Sequence, residues 1–183
     1  LLNEGFASEQ VFVTGNPVID ALLDVAHRNR GKLNGRVPEA ALDGGRLILV
    51  TAHRRENLGV PLKNLCRALA RIVSDFEDAR ILYPVHLNPK VRDVVFGLIG
   101  DQPRIHLVDP LPYEPFVEAM QRSYLIITDS GGVQEEGPAL GKPILVFRSV
   151  TERPEGLISG GVKLVGTGLD RLYSETARLL DDP

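Results

Sequence analysis

Cysteine occurs only once in the 183 residues, at Cys66, which excludes an internal disulfide and fits a reducing compartment such as the cytosol. No apolar run approaches the roughly 20 residues that a membrane-spanning helix needs, and no signal-peptide layout opens the chain. A soluble, cytoplasmic protein without a membrane partner is the expectation. A charge excess is missing too. The formal net charge of -3 gives no general attraction for nucleic acid, so any anion site must be local. Four histidines and one cysteine, with no His-x-x-His or Cys-x-x-Cys pattern, provide no metal-ligand cluster. Neither a Walker-type phosphate loop nor a G-x-G-x-x-G turn follows the early strands.

What is present is enough for one ordinary core. With 43% hydrophobic residues, a single domain over residues 1–183 is expected. The lone methionine is Met120, and Leu1-Leu2 reads as the tail of a helix stopped by Gly5. Leu179-Leu180-Asp181-Asp182-Pro183 breaks off after an amphipathic segment, so the expectation is a piece of a longer polypeptide.

Short apolar runs at 11–14, 47–51, 81–85, 105–108, 124–128, 143–147 and 162–165 read as strands. Several are continuous rather than alternating, as strands covered on both faces should be. Helical periodicity falls between them at 17–26, 61–75, 89–99, 113–121, 132–140 and 169–180. Asn16-Pro17 and Asn88-Pro89 each place a capping residue before a proline suited to a first helical turn. Leu62, Leu65, Leu69 and Ile72 recur at helical spacing and should face the sheet. The alternation predicts an α/β fold, a doubly wound, Rossmann-like parallel sheet whose ligands sit at the carboxyl ends of the strands. The Gly- and charge-rich stretch 30–45 reads as a long surface loop.

The strongest signal is Asp129-Ser130-Gly131-Gly132-Val133-Gln134-Glu135-Glu136, between a strand and a helix. Glycines allow close approach of the backbone to an anion, and the first N–H groups of a helix point at it. A carboxylate one turn further in cannot serve a phosphate but suits sugar hydroxyls, which points to a nucleotide with its ribose. A bland reading stands beside it, since the helix macrodipole favours a carboxylate in the first turn by about 0.3–1 kcal/mol.

Three more clusters share that rim. In Thr51-Ala52-His53-Arg54-Arg55-Glu56-Asn57, a histidine beside two arginines could grip a diphosphate or move a proton, or the arginines could simply pair with Glu56. In Tyr83-Pro84-Val85-His86-Leu87-Asn88-Pro89, capping alone explains Asn88-Pro89, and His86 is either functional or a satisfied histidine. Around 148–156, Arg148 and Arg153 read as an anion clamp or as a solvated turn with internal ion pairs. His27 and His106 read as structural or solvated.

Thr14-Gly15-Asn16-Pro17-Val18-Ile19-Asp20, the 51–57 cluster, His86-Leu87-Asn88-Pro89, the 129–136 turn and Thr151-Glu152-Arg153-Pro154-Glu155-Gly156 occur in that order. Together they resemble the carboxyl-terminal half of the bacterial non-hydrolysing UDP-N-acetylglucosamine 2-epimerases, over nearly the whole chain. The resemblance implies one half of a glycosyltransferase-B type two-domain fold, with the amino-terminal domain supplied by the missing part. It implies interconversion of UDP-N-acetylglucosamine and UDP-N-acetylmannosamine by elimination and re-addition of UDP, without a cofactor, for surface polysaccharide synthesis. It also implies a homodimeric intact enzyme.

By the same resemblance, Ser130, Gly131 and Gly132 cradle the diphosphate, Glu136 holds the ribose, and Leu111 and Phe116 contact uracil. Arg153 binds substrate, and His53 is an active-site histidine near the diphosphate. Arg54 and His86, with His53, match contacts to a second, activating UDP-N-acetylglucosamine. The base chemistry at sugar C2 falls in the other half, so this chain alone should not epimerise. A glycosyltransferase donor domain and a non-catalytic UDP-sugar binding module remain as rival readings.

Overall fold

The computed structural model describes residues 1–28, 37–153, 156–157 and 160–181. Six strands form one wholly parallel sheet: β1 (Arg46–Thr51), β2 (Ala79–Pro84), β3 (Ile105–Val108), β4 (Leu125–Thr128), β5 (Ile144–Val146) and β6 (Val162–Leu164). Their order is β3-β2-β1-β4-β5-β6. The chain winds outward from β1 to β3, returns to lay β4 against the free side of β1, and winds outward again. The connections on the two sides of β1 therefore diverge, which opens a crevice between the carboxyl ends of β1 and β4.

The helices are α1 (Pro17–Arg28), α2 (Glu39–Leu42), α3 (Val60–Asp75), α4 (Pro89–Ile99), α5 (Tyr113–Arg122), α6 (Gly131–Ala139) and α7 (Leu169–Asp181). On one face of the sheet, α3, α4 and α7 bury Leu65, Leu69, Ile72, Val95 and Leu172 against Ile48, Val50, Ile81 and Ile127. On the other, α1, α5 and α6 bring Leu22, Met120 and Val133 against Leu47, Leu49, Leu82 and Ile126. Successive strand residues face opposite layers, and both layers are covered, so the runs are apolar throughout. As the spacing requires, Leu62, Leu65, Leu69 and Ile72 are all buried.

The predicted caps form. The Asn16 Oδ1 accepts from Val18 N–H at 3.1 Å, and the Asn88 Oδ1 accepts from Lys90 N–H at 3.0 Å. Gly5, at φ 90°, closes a short 3-10 helix, Leu2–Glu4, in the role expected of a stop.

Two expectations are corrected. Residues 11–14 join no strand among the described residues, and Phe12 and Val13 are 79% and 98% exposed. The run has strand-like residues but no neighbour in the sheet to receive its backbone groups. Within 30–45, residues 30–36 lie outside the described residues, but the remainder is not a plain surface loop. Val37 and Ala41 are buried against Leu47 and Leu82, and Glu39–Leu42 forms a helical turn.

Candidate active site

The crevice is built on two threonines. Thr51 and Thr128, the last residues of β1 and β4, are register partners whose hydroxyls lie 2.6 Å apart. Ser130 N–H donates to the Thr128 Oγ1 at 3.0 Å, which turns the chain from β4 into α6. Ser130 occupies the position before the helix but makes no side-chain cap, leaving its hydroxyl available. The N–H groups of Gly131, Gly132 and Val133 lack partners within the helix and open on the crevice. Neither Gly131 nor Gly132 has a positive φ, so conformation does not demand glycine there. A Cβ at Gly132 would meet nothing within 4 Å, and one at Gly131 only the Arg54 Nη2 at 3.7 Å. The missing side chains keep the helix end bare.

Asp129, completely buried, organises the opposite wall. Its Oδ2 accepts from His53 N–H at 3.0 Å, Arg54 N–H at 2.9 Å and the Asn57 Nδ2 at 3.0 Å. The loop after β1 is thereby pinned to the loop after β4. His53 Nδ1 stands 3.5 Å from the Asp129 Oδ1 with its side chain about half exposed, and its ring stacks on that of His86 at 6.0 Å between centroids. A cavity of about 160 Å³ lies beside these two rings.

A cavity of about 310 Å³, the main one of this crevice, lies between the loop after β1, the start of α5 and the start of α6. Its apolar side carries Leu111, Phe116 and Val133, and its polar side His53, Ser130 and Glu136. Glu136 is buried, and its Oε1 accepts from the Tyr113 hydroxyl at 2.8 Å. Burial, and then this bond to a carboxylate, push the Tyr113 phenol up to about 12. It remains a donor at neutral pH.

Glu135 turns the other way. It accepts from the Asn16 side chain and from the Arg153 Nε, and these bonds hold its carboxyl below the usual range. Arg148 is buried rather than solvated, with Glu56 at 2.8 Å and Glu152 at 3.2 Å. Burial opposes its charge, but the bonds to Glu152 and Glu56 prevail and raise it. Glu56 thus pairs with Arg148, not with its sequence neighbours. Glu152 also reaches Arg54 at 3.4 Å.

A family model described as UDP-N-acetylglucosamine 2-epimerase matches residues 1–183. The chain belongs to that family. The UDP-N-acetylglucosamine 2-epimerase of Bacillus subtilis (strain 168) is 47% identical over 183 residues, all of this chain and 47% of that protein. The Neisseria meningitidis UDP-GlcNAc 2-epimerase bound to UDP-GlcNAc superposes with a TM-score of 0.90 at 38% identity, over 100% of this chain and 50% of that one. Staphylococcus aureus MnaA, solved with UDP, gives 0.90 at 42% identity, over 99% and 48%. The chain spans about half the length of the relatives it matches.

In this epimerase-family chain, five of the residues singled out from sequence line one cavity: His53, Leu111, Phe116, Ser130 and Glu136. Gly131 and Gly132 lie in the chain between the lining residues Ser130 and Val133 but are not among the lining residues themselves; Arg54 stands close to Gly131, and His86 borders the adjoining smaller cavity. Arg153 is held by Glu135 beside α6 and does not line the main cavity. Pro154 and Glu155 of the same motif lie outside the described residues. Sequence reasoning gave no role to Tyr113, Asp129 or Asn57, although each lies inside a quoted motif or stretch. A signal was available for Asp129, an acid at the end of an apolar strand. His106 lies half-buried in β3, where burial and then Arg80 lower it.

Proposed function

We propose that the intact protein is a UDP-N-acetylglucosamine 2-epimerase and that residues 1–183 are its UDP-holding, carboxyl-terminal half. The observation that supports this is convergence: side chains from three separate loop regions line one cavity where the sheet order reverses. Uracil lies against Leu111 and Phe116, the ribose hydroxyls reach the buried Glu136, and the diphosphate sits at Ser130, Gly131 and Gly132. Arg153 reaches the diphosphate by releasing Glu135. His53, Arg54 and His86 also frame the site of a second, activating sugar nucleotide.

In this reading the bond from C1 to the UDP oxygen breaks as the C2 proton leaves, giving 2-acetamidoglucal and free UDP. UDP adds back after a proton reaches the other face of C2. Charge grows on the diphosphate as it departs, and preformed donors aimed at that position lower the barrier. Carboxylates that remove the C2 proton belong to the other half of the enzyme, and the intact enzyme is a homodimer. This chain alone therefore does not epimerise.

Calorimetry of UDP binding to the full-length protein tests the contacts. Glu136→Ala removes a charged hydrogen bond, worth about 1.5–3 kcal/mol, so Kd should rise by roughly 10- to 100-fold, and Arg153→Ala should raise it by less, because Arg153 must first leave Glu135. Unchanged affinity in both folded variants would contradict the assignment. Incorporation of solvent deuterium at C2 separates epimerase from donor-transferase chemistry, which would instead need an acceptor and leave C2–H intact.

A further inference from the structure

Asp129 does more than brace a loop, because its two oxygens have separate partners. Oδ2 takes three donors, all from residues 53, 54 and 57. Oδ1 is fully buried and has no hydrogen-bond partner among the described residues, and the group beside it is the His53 Nδ1, 3.5 Å away. A carboxylate oxygen can only accept, so the one arrangement that satisfies both atoms puts a proton on Nδ1. At 3.5 Å the pair stands slightly beyond a formed hydrogen bond, and catalytic contacts of this kind tighten in the complex with substrate. The other ring nitrogen, Nε2, points away from Asp129, and His53 lines the main cavity.

We propose that Asp129 is the positioning residue of His53: it fixes the proton on Nδ1, so that any proton His53 gives or takes passes through Nε2. Neutral His53 then offers a bare Nε2 lone pair to the site, and protonated His53 offers an Nε2–H to a phosphate oxygen. Asp129 itself exchanges no proton. This rests on the reading of His53 as a group near the diphosphate, and it assigns that group its working atom. A purely structural Asp129 would need only Oδ2.

Asp129→Asn discriminates between the two. Three donors converge on the Oδ2 position, so the variant's amide oxygen must remain there and its NH2 must face His53. An NH2 group donates, which forces Nδ1 to accept and moves the neutral-state proton to Nε2. The loop stays pinned while the tautomer inverts. Long-range 15N–1H spectra of the histidine side chains read this directly. Wild type should show His53 protonated at Nδ1, Asp129→Asn at Nε2, and Asn57→Ala, which removes a donor to Oδ2 and one to the Phe147 carbonyl but leaves Oδ1 untouched, should keep the wild-type pattern. In the full-length protein, Asp129→Asn should lower kcat by roughly 10²- to 10⁴-fold with KM nearly unchanged, the usual span of a general acid or base.

A wild-type His53 protonated at Nε2 in its neutral form overturns the proposal, whether or not the variants fold. So does a tautomer that Asp129→Asn leaves unchanged. An inverted tautomer with undiminished kcat keeps the positioning role but removes His53 from the chemistry, so the two failures are distinct.

Discussion

Glu135 and Glu136 are neighbours in sequence but point about 100° apart around α6, and the consequence is two different jobs. One carboxylate ties the helix to Asn16 and Arg153, and the other closes the floor of the main cavity with Tyr113. Tyr113→Phe leaves the buried Glu136 short of a donor. Because Tyr113 is 41% exposed, water can replace part of the loss, and a destabilisation of about 1 kcal/mol is expected in urea unfolding. The sequence marked an acid one turn past a Gly-Gly helix start without choosing between Glu135 and Glu136, and only the family resemblance singled out Glu136. Tyr113 could not be read there, since its role depends on a partner 23 residues away that only the folded helices bring close. Asp129 carried a local signal as an acid ending an apolar strand, but its partners lie more than 70 residues back along the chain, so its role was not legible.

Between elements, α6 approaches the sheet closely beneath the site. A Cβ at Gly137 would come within 2.1 Å of the Ile144 Cδ1 and 3.5 Å of the Ile126 Cδ1. Gly137 does not have a positive φ, so glycine is needed there for space and not for backbone freedom. Gly137→Ala should therefore destabilise the protein by about 1–3 kcal/mol through overpacking, despite the better helix propensity of alanine. Thermal unfolding of the variant measures this. A loss of UDP affinity should accompany it, because α6 carries both the bare helix end and Glu136. The helices were easily read from sequence, since their periodicity and caps are local. Strands were harder, because pairing is not: 11–14 has the residues of a strand but lacks a partner, whereas the three-residue β6 pairs with β5.

At the scale of the whole molecule, surface carboxylates tie strands and helices together. Arg46 lowers Asp78 across the β1–β2 side of the sheet, Lys163 lowers Glu175 between β6 and α7, and Asn16 with Arg153 lowers Glu135. Carboxyls depressed in the folded state stabilise it fully above their ordinary values of 3.8 and 4.5 and lose that contribution as pH falls through the lowered ones. A plateau in Tm from pH 7 to about 5, then a decline toward pH 3, is expected in scanning calorimetry. A flat profile would mean that solvent screens these pairs completely. Strand–helix alternation made the doubly wound class legible, but not which strands would adjoin, and the crevice depends on that order.

A guanidinium that already has a resident counterion meets an incoming nucleotide as a competitor, not as a bare cation. If Arg153 swings to the pyrophosphate as proposed, the carboxylate of Glu135 is left behind, and the net electrostatic gain is the difference between two anions. Free UDP would then be held less firmly than a count of nearby cations implies. That suits a cycle in which the departed group must stay only long enough to be added back and must finally leave as part of the product.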